Sequence, residues 1–248
     1  MLQNFESLVL FWLGLGFLTF ITLLKIPAPY GKFSKTNWGP MIPSKLGWFL
    51  MEIISPLALL YFFLKGNIEI TPTNMTFITL WSLHYFNRSV IYPLRQNNPA
   101  KMPLLIAVLA FLFNVVNGYI NGTHLGNIQV YSTDYMSNWN FIVGVCLFIS
   151  GAYINIKSDN ILLSLRSKSR EYKVPKGFMF KYVSFPNYLG EIIEWMAFAI
   201  MTWSLAGLSF MIWTMANLVP RAIKGHQWYH SKFESYPKDR KAIFPFII

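Results

Sequence analysis

One cysteine, Cys146, stands among the 248 residues, so no intrachain disulfide can form and no Cys-x-x-Cys metal or redox pair exists. Acid is scarce too. Ten Asp and Glu accompany 21 Lys and Arg, and charged residues make up only 12% of the chain, against roughly 25% in a soluble domain. That shortage excludes a free soluble globule. There is no G-x-x-x-x-G-K-[ST] and no G-x-G-x-x-G after a strand, which removes P-loop and Rossmann nucleotide sites. Internal repeats, low-complexity segments and long linkers are also missing, so residues 1–248 are read as one domain with no separate soluble module.

What is present is apolar: 54% of the residues are hydrophobic and 18% aromatic. A basic, aromatic-rich chain could serve nucleic acid or a membrane, and long apolar runs decide for the lipid bilayer. A crossing helix needs about 20 mostly apolar residues. Such runs lie at Leu8–Leu24, Leu46–Leu64, Ile70–Asn87 (with a pattern reaching Tyr92), Met102–Ile120 and Tyr135–Ile156. Asn187–Pro220 is too long for one span and divides around Ser204-Leu205-Ala206-Gly207. The first run is a span rather than a signal peptide, because Glu6 precedes it and no basic leader or small-residue cleavage site flanks it. The fold expected is an all-α integral membrane protein of seven transmembrane helices.

Charge placement supports that number. Counted between spans, twenty of the 21 cations fall on alternate segments, and only Lys65 lies on the other side. The positive-inside rule puts the N-terminus outside and the C-terminus in the cytoplasm. The membrane would be the endoplasmic reticulum in a eukaryote and the inner membrane in a bacterium. Asn74-Met75-Thr76 and Asn121-Gly122-Thr123 fit the glycosylation triplet near the outer side.

Most of the span residues need no role beyond packing and lipid contact. Ionisable groups at membrane depth are the exceptions, since they are costly and face a cavity or a partner. Glu52 sits within an apolar run, one turn after Trp48. His84 and Tyr85 lie in the third run, followed by Arg88 and Tyr92. Glu191 and Glu194 share a face near the start of the sixth span, where a helix N-terminus also favours carboxylates. The four histidines, His84, His124, His226 and His230, are scattered without a metal-site pattern, so no metal is expected. Between the fifth and sixth spans, cations are interleaved with Asn155, Ser158, Asp159, Asn160, Arg166, Arg170, Tyr172 and Lys173. Arg and Lys suit a polyphosphate, and Asp and Asn suit a ribose or base.

These stretches resemble a known family. Lys181–Trp195, reading KYVSFPNYLGEIIEW, is similar to the signature of the steroid 5α-reductases, and Phe233–Phe246, reading FESYPKDRKAIFPF, to their C-terminal end. Trp48–Glu52, Leu83–Arg88 and Ile154–Asp159 match as well, so the likeness runs from about residue 46 to the end. The resemblance implies a seven-span, NADPH-dependent oxidoreductase acting on a CH–CH bond. Such enzymes reduce the 4,5 double bond of a 3-oxo-Δ4-steroid, with hydride going to carbon 5 and a proton to carbon 4.

In that chemistry negative charge builds on the ketone oxygen, and donors in a dry site stabilise it. The resemblance makes Tyr85 and a protonated Glu52 those catalytic donors. It implies cofactor contacts from Asn155, Asp159, Arg166, Tyr172 and Lys173 in the loop, and from Asn187 and Glu191 beyond it. Arg221 and Tyr229 in the tail, and Arg88 and Tyr92 from span three, complete that set. Trp48 and Met51 are the expected substrate-side residues. Two positions depart from the family: Met51 stands where relatives commonly carry Gln, and Gly225 offers no side chain where relatives can carry a histidine. Partners implied are a hydrophobic steroid-like substrate and the bilayer, with no nucleic acid and no obligate protein. Other readings are a trans-2-enoyl-CoA or polyprenol reductase of the same superfamily, an isoprenylcysteine-type methyltransferase using S-adenosylmethionine, or a non-catalytic receptor or transporter.

Overall fold

A computed structural model describes residues 2–96, 100–168 and 172–248. Helix dominates. The elements are α1 (Leu2–Lys25), α2 (Ser44–Leu64), α3 (Pro72–Phe86), a π-turn (Asn87–Ile91) running into the short α4 (Tyr92–Arg95), α5 (Leu104–Thr123), α6 (Trp139–Lys168), α7 (Pro186–Thr202) and α8 (Leu205–Lys232). Most of each expected apolar run is helical, but Ile70 and Thr71 precede α3, Met102 and Pro103 precede α5, and Tyr135–Asn138 precede α6. The long run Asn187–Pro220 is divided as expected. Trp203 takes a left-handed conformation (φ 44°), and the Ser204 hydroxyl caps α8 by accepting from Gly207 N–H at 3.0 Å. One feature departs from an all-α fold: strands β1 (Met41–Pro43) and β2 (Lys101–Pro103) pair antiparallel, with Ile42 opposite Met102.

The described residues form two compact units, one comprising the chain up to Val9 with Ala28–Ile142, the other Leu10–Pro27 with Val143–Ile248. In the first, α2 and α5 lie side by side. Each begins one residue after a β-strand, and the ribbon supplies acceptors for both helix starts: Ser44 N–H donates to Ala100 O at 2.9 Å and Leu104 N–H to Pro40 O at 2.8 Å. First-turn N–H groups have no partner within the helix, so these bonds replace side-chain caps. Glycines at every fourth position of the next stretch, Gly118, Gly122 and Gly126, face α2. A methyl on them would come within 2.5 Å of Ala58 Cβ, Leu59 O and Phe63 O respectively. Small residues at this spacing let helix backbones touch, the usual device where lipid supplies no hydrophobic drive.

Neither glycosylation triplet presents its asparagine outward. Asn74 is fully buried, where its side chain and that of Thr71 form a reciprocal capping box at the start of α3. Asn121 is buried in α5 and donates to Asn117 O at 3.1 Å.

The second unit is built on α6, α7 and α8. Its core joins Phe185, Leu189 and Ile192 to Leu218, Val219 and Ala222 of α8, and to Tyr236 and Ile243 beyond. On the first helix, Gly16 lies against the Trp213 indole, whose N–H donates to Trp12 O at 3.0 Å. Two helices outrun their apolar segments: α6 continues to Lys168 and α8 to Lys232.

Among the described residues, four helices are long and apolar enough to cross a membrane: Gln3–Lys25, Ser44–Leu64, Leu104–Ile128 and Trp139–Arg166. The three other expected spans fall outside that set. At about 1.5 Å rise per residue, the 15 residues of α3 and the 17 of α7 are shorter than a hydrocarbon core of about 30 Å. The cytoplasmic-type charges Arg221, Lys224 and Lys232 lie on the second half of α8.

Because Gly122 meets backbone rather than a yielding side chain, Gly122→Val is expected to cost about 1–3 kcal/mol through overpacking. The thermal midpoint in detergent reads this directly. A midpoint equal to that of the parent would contradict the close contact of α2 and α5.

Candidate active site

In the first unit, Tyr85 is buried near the end of α3, stacked on Trp81 at 5.7 Å and edge-on to His84 at 5.1 Å. The Trp81 indole N–H donates to Ser55 Oγ at 3.1 Å, which fixes this face of α3 to α2. The Tyr85 hydroxyl donates to Asn114 Oδ1 at 3.3 Å, and Asn114 Nδ2 donates to Met51 O at 2.6 Å. The short second bond orients the amide, so Asn114 can only accept from Tyr85. The long first bond holds the phenol proton loosely, since O–H···O bonds centre near 2.7–2.8 Å. Glu52 follows Met51 on α2 and is half-buried. Met51 contributes its backbone oxygen to this chain of bonds, a role that does not depend on the side-chain departure from the family.

The π-turn then changes the helical phase. Arg88 is buried there, its guanidinium 4.9 Å from the Trp48 ring and 5.2 Å from the Tyr92 ring. Tyr30 stands edge-on to Trp48 at 6.2 Å. Three expected residues, Trp48, Arg88 and Tyr92, thus come together as a cation held by aromatic faces, an arrangement that strengthens when desolvated.

In the second unit, α6 and α7 meet at Gly151 and Gly190. A methyl on Gly190 would approach Asn155 N to 2.5 Å, and one on Gly151 would approach Gly190 O to 2.7 Å. This contact places three expected residues within bonding range. Asn155 Nδ2 donates to Asn187 O at 2.9 Å, and Asn187 Nδ2 donates to Asp159 Oδ1 at 3.0 Å. Asn187 Oδ1 is buried without a hydrogen-bond partner. Asn155, Asp159 and Arg166 lie on α6, not on a loop as expected, because the helix runs on beyond its apolar part. Glu191 is half-buried one turn after Asn187, and Glu194 is fully buried deeper in α7, packed on Gly151.

Arg221 and Tyr229 are likewise helical, on α8 rather than in a tail. Arg221 is buried and its Nε donates to the Tyr188 hydroxyl at 3.1 Å. Tyr188 stacks on Phe185 at 5.2 Å, Phe185 packs on Tyr229 at 6.0 Å, and Tyr229 stacks on Tyr236 at 5.2 Å. Burial, then the Tyr236 phenol, pushes the Tyr229 hydroxyl well above its usual range, so it remains a neutral donor. Tyr172 packs on Trp228 at 5.0 Å with the exposed Arg166 guanidinium 6.0 Å from its ring. Lys173 is exposed, and Arg170 lies outside the described residues.

Sequence reasoning missed Asn114, Tyr188 and the polar group around Ser184. Asn114, Asn117 and Asn121 recur every three or four residues inside an apolar run, a signal as readable as an intramembrane carboxyl. Among the described residues, no three His, Cys, Asp or Glu side chains gather as a metal site would need.

Ser184 Oγ lies 2.6 Å from His226 Nδ1 and 2.6 Å from the Tyr236 hydroxyl, and donates to Lys241 O at 3.1 Å. Burial lowers the His226 pKa from 6.5 to about 4, helped by the positive neighbours His230, Arg240 and Lys241. An unfolded histidine therefore takes up a proton that the folded one refuses. The contribution of neutral His226 to stability is complete above about pH 6.5 and is lost as pH falls towards about 4. Thermal midpoints measured between those limits should fall more steeply for the parent than for His226→Gln; parallel curves would remove His226 as the cause. A second outcome follows from the helix contact. Gly190→Val should part α6 from α7 and lower the midpoint by the equivalent of about 1–3 kcal/mol, whereas a parent-like midpoint would deny that contact.

The matching protein-family model is described as 3-oxo-5-alpha-steroid 4-dehydrogenase and covers residues 100–248. The chain is 43% identical to steroid 5-alpha-reductase DET2 of Solanum lycopersicum over 248 residues, covering 98% of this chain and 96% of that protein. It is 42% identical to the same-named protein of Arabidopsis thaliana, with 92% and 91% of the two chains covered. To 3-oxo-5-alpha-steroid 4-dehydrogenase 1 of Rattus norvegicus it is 37% identical, with 94% and 92% covered. The likeness extends over nearly the whole length, through both polar clusters and the helices that carry them, and the chain belongs to the steroid 5α-reductase family of oxidoreductases.

Proposed function

We propose that this chain is a seven-span membrane reductase that uses NADPH to reduce the 4,5 double bond of a 3-oxo-Δ4-steroid, its 248 residues acting as one catalytic domain. Its N-terminus lies outside and its C-terminus in the cytoplasm, the orientation that the alternation of cations favours. The plant relatives are named steroid 5-alpha-reductases and the rat one 3-oxo-5-alpha-steroid 4-dehydrogenase, and the substrate proposed here follows those names.

The observation that carries the reading is the buried Tyr85 phenol, loosely bonded to Asn114 in an apolar bundle, with Glu52 next to the Met51 carbonyl that orients the amide. When electrons enter an enone, charge gathers on the ketone oxygen. That oxygen is a stronger acceptor than an amide, so the Tyr85 proton turns from Asn114 towards it. A protonated Glu52 supplies a second donor. Asn114 keeps the phenol ring in place while its proton is reassigned. Such pre-set donors cost no reorganisation at the moment of reaction.

The second unit suits a pyridine dinucleotide. The unpartnered Asn187 Oδ1 accepts a hydrogen bond from an amide or a ribose hydroxyl. Asn155 and Asp159 hold the asparagine in that orientation. Arg166, Lys173 and Arg221 supply cations for phosphates, and Tyr172 and Tyr229 supply aromatic faces and hydroxyls. Glu191 lies on the same helix one turn further on. Arg88, caged by Trp48 and Tyr92, is a fixed cation of the first unit. Bound NADPH would supply the hydride for carbon 5.

Purified protein in detergent is expected to convert progesterone to a product two hydrogens heavier with oxidation of NADPH, measured by mass spectrometry. Tyr85→Phe and Glu52→Leu should each lower kcat/KM by about 10²–10³, the usual loss for one donor at a developing oxyanion. Undiminished turnover in either variant would remove that residue from the ketone. Reduction of an enoyl-CoA alone, with the steroid untouched, would assign the chain to the fatty-acid branch.

A further inference from the structure

We propose that Ser184 is a positioning residue that locks the C-terminal segment onto the start of α7 and thereby sets the affinity of the nucleotide site; this rests on the NADPH site proposed above. Ser184 is buried just before α7, and its hydroxyl has three polar neighbours. It has one proton to give. With that proton on Lys241 O, His226 Nδ1–H and Tyr236 O–H both donate to Ser184, and Arg240 Nη1 donates to the Tyr236 oxygen at 3.3 Å. This arrangement satisfies each hydroxyl and gives the chain of bonds one direction.

Backbone bonds reinforce it. Lys241 N–H donates to Tyr182 O at 2.9 Å, Ser184 N–H to Lys241 O at 2.8 Å, and Phe185 N–H to Ala242 O at 3.1 Å. The clamp therefore joins three parts of the chain: Tyr182–Phe185, the end of α8 through His226, and Tyr236–Ala242.

From the clamp, contact passes to residues assigned to the nucleotide. Tyr236 is stacked on Tyr229 with their planes 11° apart, and Phe185 on Tyr188 with planes 12° apart. Phe185 touches Tyr229, and the Tyr188 hydroxyl receives Arg221. Tyr229 and Arg221 thus lie at two places along one aromatic column, and Ser184 holds the Tyr236 end of it. Asn187 is three residues after Ser184, so the same clamp fixes the backbone that presents its open acceptor. Removing the Ser184 oxygen leaves the half-buried His226 and the buried Tyr236 hydroxyl without this acceptor and frees the column at one end.

The test compares the full-length parent with Ser184→Ala, Ser184→Thr and Tyr236→Phe in detergent. Two quantities are read: the dissociation constant of NADPH from its protection against thermal unfolding, and kcat and KM for NADPH with progesterone as acceptor. Ser184→Ala should raise the dissociation constant and KM about tenfold, the part of the lost clamp bonding that reaches the nucleotide site, while kcat at saturation stays within about twofold of the parent. Ser184→Thr, which keeps the oxygen, should restore affinity to within about threefold. Tyr236→Phe keeps the stacked ring and loses one donor, so it should raise the dissociation constant by about threefold to tenfold even if Ser184→Ala fails to fold. Parent-like affinity in Ser184→Ala or Tyr236→Phe, no recovery in Ser184→Thr, or a fall in kcat alone would overturn the proposal. A parent that NADPH does not protect would instead overturn the nucleotide site itself, and the role of Ser184 with it.

Discussion

The contact of α6 with α7 at Gly151 and Gly190 is the constraint on which the second unit depends. Asparagine and aspartate side chains are short, and Asn155, Asp159 and Asn187 can bond to one another only if their backbones are nearly touching. A hydrogen atom in place of a side chain on both helices permits this. Where the solvent is hydrocarbon, burying more apolar surface gains little, so direct backbone approach and amide bonds take over the work of cohesion. The first unit uses the same means, with Gly118, Gly122 and Gly126 against α2 and Asn114 bonded across to the Met51 carbonyl. Glycine for approach and asparagine for adhesion recur in both units.

This economy also shapes the chemistry. Few charged groups are available, and those that are buried have company: Arg88 lies between aromatic faces and Arg221 bonds a tyrosine hydroxyl. Neutral donors and acceptors do the rest. A site made of phenols, amides and a carboxyl suits a substrate whose charge exists only during reaction, since fixed ions would otherwise bind water or counter-ions in the ground state.

Much of this architecture was legible in the sequence because hydropathy reports directly on contact with lipid. The greater part of every apolar run is helical, and the break at Ser204 was visible as a small polar interruption. The signal ends where the apolar stretch ends, whereas helical hydrogen bonding does not. For that reason α6 and α8 extended unseen into their polar halves, and Asn155, Asp159, Arg166, Arg221 and Tyr229 were expected on loops or in a tail. The three-residue strands were hidden for a different reason. They are set by their partner, 60 residues away in register at Ile42 and Met102, and not by local pattern. The Ser184 clamp, whose bond to Tyr236 spans 52 residues, is invisible for the same cause. The family likeness pointed to Tyr85 as a candidate but not to Asn114, which accepts from its hydroxyl.

The π-turn at Asn87–Ile91 bears on how this region tolerates changes in length. A π-turn holds one residue more than the α-helical turn it replaces, so it acts as a phase shifter within one continuous rod. Losing a single residue there would leave Tyr85 and all that precedes it undisturbed, yet would turn Tyr92 and the residues after it by about 100° around the axis. Arg88 would then face Trp48 without its second ring. The aromatic cage is thus encoded by the count of residues as much as by their identity, and a one-residue deletion would do what no single substitution outside the cage does.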